Sequence, residues 1–95
     1  MKGIRIKAAT PKGTTALSSH IKESMKFGIG TKAMMKTIGV SQEVTSDNPL
    51  TLEVRIHKKQ LQALINPENM KNEIRPSLQE RGAIDNKDYT MEVIE

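Results

Sequence analysis

Apolar and polar positions alternate in three stretches of the chain and recur at helical spacing between them. Ile4, Ile6 and Ala8 alternate with Arg5 and Lys7, the period of two expected of a strand with one buried face. Leu50, Leu52, Val54 and Ile56 alternate with Thr51, Glu53, Arg55 and His57 in the clearest run, introduced by the turn-forming Ser46, Asp47, Asn48 and Pro49. Tyr89, Met91 and Val93 alternate with Thr90 and Glu92 after a second turn cluster, Asp85 to Asp88. Val40, Gln42 and Val44 share one face of a weaker strand over 40–45. Without that strand the alternative is a three-stranded α+β fold.

Helical spacing fills the intervals. Pro11 and Gly13 break the chain, and Thr14 or Thr15 is the expected cap of a helix with the stripe Leu17, Ile21, Ser24, Met25 and Gly28. Gly28 and Gly30 predict its end or a kink, followed by a shorter piece carrying Met34, Met35 and Ile38 and capped by Gly39. Leu61, Leu64 and Ile65 begin a second helical region. Asn66 before Pro67 reads as an N-cap with proline at the first helical position. Met70, Ile74 and Leu78 recur every four residues. Pro76 removes a backbone donor among them and predicts a kink or restart, and Gly82 closes the region.

The order strand, helix, strand, strand, helix, strand predicts a ferredoxin-like βαββαβ sandwich, an antiparallel sheet with helices on one face. No composition shift or repeat divides the chain, so residues 1–95 are expected to form a single α+β domain.

Composition narrows the functional classes. Cysteine is absent, which excludes disulfides and thiolate metal sites and fits a reducing, cytoplasmic setting. No apolar run reaches a membrane span, so no membrane partner is expected. The formal net charge of +4 is uneven. Residues 1–48 carry eight lysines and arginines against three acids, whereas residues 49–95 carry seven against eight. A surplus placed in one half points to an anionic partner for one face.

Candidate chemistry is sparse, and the chain is not expected to be an enzyme. His20 and His57 are the two histidines, and neither stands at metal-ligand spacing from another His. His20 borders the first helix's apolar stripe, as a satisfied, partly buried imidazole does. Ser18, Ser19 and Ser24 lack a nucleophile-elbow context, and Asp85 to Asp88 lack the remaining ligands of a calcium loop. The glycines form neither a dinucleotide fingerprint nor a P-loop, so no cofactor is expected. A sheet face showing Arg5, Lys7, Thr51, Glu53, Arg55, Thr90 and Glu92 has no aromatic platforms for stacking bases.

One geometric expectation remains. With the first and third strands as parallel neighbours, Lys7, Lys12, Thr14 and Thr15 would gather with His57, Lys58 and Lys59 at one edge. Both helix N-termini would open there onto an anion. The reading is a small basic module binding nucleic acid or another polyanion through phosphate contacts. The alternative is a protein-interaction or inhibitor module using an edge strand or a Met-rich helix surface at Met25, Met34 and Met35. The expected state is a monomer or weak homodimer.

Overall fold

The fold is seen in a computed structural model, which describes residues 2–26, 39–64 and 66–94. The readings at Phe27 to Ile38, including the kink at Gly28 and Gly30, the Met34–Met35 piece and any helix capped by Gly39, lie outside the described residues, as does Ile65. Strand β1 (Lys2–Ala8) is followed by helix α1 (Pro11–Lys26), strands β2 (Val40–Asp47) and β3 (Leu50–Ile56), helices α2 (Lys59–Leu64) and α3 (Pro67–Glu80), and strand β4 (Tyr89–Ile94). The four strands form one antiparallel sheet in the order β2-β3-β1-β4. The fold is α+β.

Register explains the core. Ile4 lies opposite Val54 and Val93, Ile6 opposite Leu52 and Met91, and Ala8 opposite Tyr89, so the apolar sets of three strands share one face. Ala16, Leu17 and Ile21 of α1 and Leu78 of α3 pack into the same cluster, with Met70 and Ile74 against it. Ile4, Ile6, Leu17, Leu52, Leu78 and Tyr89 are fully buried there. Burial of this kind stabilises by roughly 1.5–3 kcal/mol per large side chain.

Several local expectations change. Strand β2 is longer than predicted and carries a bulge between Val44 and Ser46. Helix α1 begins at Pro11, not at Thr14 or Thr15. The Thr10 hydroxyl accepts from Gly13 N at 3.1 Å, so Thr10 is the cap and the proline is at the first helical position. Thr14 and Thr15 sit in the first turn and donate to the carbonyls of Thr10 and Pro11. Helix α3 begins as predicted, with Asn66 accepting from Glu68 N, but runs unbroken through Pro76. Packing of Ile74 and Leu78 on either side holds the helix across the missing donor. Gly82, at φ +85°, follows its C-cap Arg81.

The polar face of β3 is less open than an alternating strand implies. Thr51 and Glu53 are buried, at 6% and 7% exposure. Because β3 is internal, side chains from β1 and from its own strand close over them: Arg5 Nε lies 3.6 Å from Glu53, and Arg55 is hydrogen-bonded to it.

Candidate functional site

The pairing direction decides where the predicted site residues go. Strands β1 and β3 are antiparallel, with Lys7 opposite Thr51 and Lys2 opposite Ile56. The end of β1 therefore meets the beginning of β3, and the expected parallel neighbours do not exist. Lys7, Lys12, Thr14 and Thr15 stay together at one end of the sheet. His57, Lys58 and Lys59 lie at the other, about six residues away along β3, or roughly 20 Å at strand rise. The helices leave from these opposite ends too: α1 begins just beyond Ala8, and α2 just beyond Ile56. The seven residues do not form one site.

The α1 end is built from internal hydrogen bonds. Asp88, 4% exposed, accepts from Thr10 Oγ1 at 2.7 Å and from Ile84 N at 2.7 Å, and its own carbonyl accepts from Ala9 N at 2.8 Å. The bond from Thr10, then that from Ile84, holds the carboxyl below the usual aspartate range, with help from the charges of Lys12 and Lys87. Gly13 has no side chain because a Cβ there would overlap the Asp88 carbonyl. Thr10, Gly13, Thr14 and Thr15 thus spend their polar groups on the fold. An open cleft of about 290 Å³ separates this junction from the β2–β3 turn, but its walls include Asp47, whose charge opposes an anion. Lys12 and Lys87 at this end stand close enough to Asp88 to lower its pKa, and Asp47 lines the adjoining cleft.

The opposite end has a different chemistry. From Arg55 to Ala63 the chain carries Arg55, His57, Lys58 and Lys59 and no acid, and the register adds Lys2, which no local pattern singles out. Lys2, His57, Lys58 and Lys59 are exposed. His57 Nε2 meets Ser41 Oγ at 2.5 Å, and His57 N donates to the Gly39 carbonyl at 2.7 Å. Gly39, at φ +86°, has no Cβ, and the stem of Lys58 lies where one would stand. Strand β2 thus braces the β3–α2 corner.

Arginines and lysines divide by task. All four arginines are in ion pairs: Arg5 with Glu53 and Glu92, Arg55 with Glu53, Arg75 with Asp85, and Arg81 with Glu23. Burial alone would raise the Glu53 carboxyl, but the hydrogen bond and charge of Arg55, a bond from Thr45 and the charge of Arg5 bring it below its ordinary value. Among the described lysines with side chains placed, Lys71 makes an ion pair with Glu68. Lys2 and Lys59, exposed point charges at the basic end, are the type of group that meets phosphates without fixed geometry.

His20 is engaged by a serine from the other long helix, not by Ser18, Ser19 or Ser24. His20 Nδ1 lies 2.9 Å from Ser77 Oγ, joining α1 to α3. Arg81 Nη1 donates to the Ser77 carbonyl at 2.7 Å and hydroxyl at 2.8 Å. Burial, then the Arg81 charge, lowers the His20 pKa, which favours the neutral imidazole in this contact. The contact clasps the two helices. Among the described residues no group of three or more His, Asp or Glu could hold a metal ion, and no helix is long and apolar enough to cross a membrane. No protein-family model, curated protein or solved structure matches the chain.

Proposed function

We propose that the chain is a non-enzymatic binding module whose β3–α2 corner takes a polyanion, most simply a nucleic-acid backbone, through Lys2, His57, Lys58 and Lys59. The observation that carries this reading is the Lys2 to Ile56 register, which adds a fourth cationic or titratable side chain beside the acid-free stretch 55–63. The expected site is thereby narrowed, because Lys7, Lys12, Thr14 and Thr15 belong to the carboxylate-bearing end. The lack of aromatic side chains on the polar sheet face supports phosphate contacts rather than base reading. A ferredoxin-like arrangement accommodates this reading, and a chain without cysteine suits a reducing, cytoplasmic setting.

Fluorescence anisotropy with a labelled duplex at about 50 mM salt tests it. Three to four phosphate contacts imply a log–log salt slope near −3. Lys2→Glu combined with Lys59→Glu is expected to remove most binding, and Lys7→Glu combined with Lys12→Glu to leave most of it. Equal losses from the two pairs, or no binding to DNA or RNA, would reject the site.

A further inference from the structure

The sheet has two edges, and they are finished differently. Strand β2 is bulged between Val44 and Ser46, carries Glu43 and Asp47, and runs into Pro49, all features that discourage another strand from adding. Strand β4 pairs with β1 over six consecutive residues without a bulge and contains no proline or lysine. Its single acid, Glu92, is turned onto the polar face, where Oε1 accepts from Arg5 Nη1 at 2.9 Å.

The backbone bonds show which groups this edge leaves open. Ala9 N donates to the Asp88 carbonyl, so the bonded pairs between β1 and β4 continue at every second residue: Lys7 with Thr90, Arg5 with Glu92, Gly3 with Ile94. Tyr89, Met91 and Val93 therefore aim their N–H and C=O groups away from β1. The Tyr89 end is already covered, since Asn86 N donates to its carbonyl at 2.9 Å and Asp85 bridges to it. Among the described residues, Met91 and Val93 remain. Val93 is 40% exposed on the apolar face, and the Glu92 side chain between them is 59% exposed on the other.

We infer that β4 is a strand-addition edge for an extended segment of another protein, one with apolar residues facing Met91 and Val93 and a lysine or arginine facing Glu92. Charge selects this occupant. Arg5 engages one Glu92 oxygen and leaves the other to a donor from outside the chain. A second copy is disfavoured, because the twofold register that joins Met91 and Val93 of two copies sets Glu92 directly against Glu92. This inference does not rest on the lysine corner, and either can fail without the other.

Two blocked peptides test the inference, Thr-Val-Lys-Val-Thr and the same sequence with glutamate at the centre, titrated to millimolar concentration while amide shifts are followed. Shifts are expected to concentrate at Met91 to Val93. The lysine peptide is expected to bind about two- to fivefold more tightly, the scale of a cross-strand charge pair. Glu92→Gln should erase that preference without abolishing binding. Val93→Pro, which removes one open donor at an edge where proline is tolerated, should abolish both, with β1 shifts reporting that the sheet survives. Equal affinity for the two peptides, shifts centred on β2 or Lys58, or no shift at all overturns the inference. So does a dimer in sedimentation that excludes the peptides.

Discussion

The two ends of the sheet hold similar numbers of lysines and use them differently. At the α1 end, which Lys7 shares, Lys12 and Lys87 stand by a lock in which the Asp88 carboxylate and carbonyl are bonded to Thr10, Ile84 and Ala9 and pressed against Gly13. At the β3–α2 end, Lys2, His57, Lys58 and Lys59 are exposed, and residues 55–63 carry no acid. A lysine count cannot separate these roles. What separates them is whether carboxylates stand nearby and whether the backbone beneath has spent its donors.

The sharpest way to break the comparison is at Gly13. Because a methyl group there would meet the Asp88 carbonyl, part of the backbone and unable to step aside cheaply, Gly13→Ala is expected to destabilise by about 3 kcal/mol, the upper range for overpacking. Chemical denaturation measures it. A change under about 0.5 kcal/mol would mean that α1 does not sit tightly on the 84–88 loop.

Acid should act on the locked end and on the helix clasp. A group whose pKa is lowered by folding gives stability that is present above its unfolded value and lost as pH falls through the folded one. For His20 the loss begins below about pH 6.5, and for Asp88 and Glu53 below about pH 4. Thermal melts across pH 3–8 should show both limbs. His20→Gln is expected to flatten the upper one and Asp88→Asn part of the lower. A stability maximum at pH 5 would contradict the His20 assignment.

Much of this was readable from residue order, and the rest was not for physical reasons. The alternations at Ile4 to Ala8, Leu50 to Ile56 and Tyr89 to Val93 predict strands because period two is local. Asn66 with Pro67 likewise identifies a helix start from two adjacent residues. Pairing direction is not local. A parallel pairing of β1 and β3 would merge two basic clusters that lie at opposite ends, and Lys2 joins His57 to Lys59 only through the antiparallel register. Pro11 reads as a breaker until Thr10 is seen to cap, and Gly13 looks like a turn glycine until Asp88 arrives beside it from 75 positions downstream.

Thr10 links the lock to the helix, and its removal is a smaller test. Thr10→Ala deletes the cap on Gly13 N and a donor to Asp88, and should cost about 1 kcal/mol, as N-cap losses do. It should also move the acid limb of Asp88 upward in pH, since the Thr10 bond is the largest cause of the lowered value. A stability loss without that movement would separate capping from the carboxylate.

The smallest expected effect tests the other end. Lys2 and Lys59 are exposed and make no ion pair among the described residues, so Lys2→Glu with Lys59→Glu should change stability by no more than about 0.5 kcal/mol. The same double variant is expected to abolish most duplex binding, because it reverses two of the four groups at the corner and puts carboxylates where phosphates would approach. That disparity, large in binding and near zero in folding, is what distinguishes a binding end from a structural one. A loss above about 1 kcal/mol in denaturation would place these lysines in the fold's own electrostatics, and the two ends of the sheet would then differ only in degree.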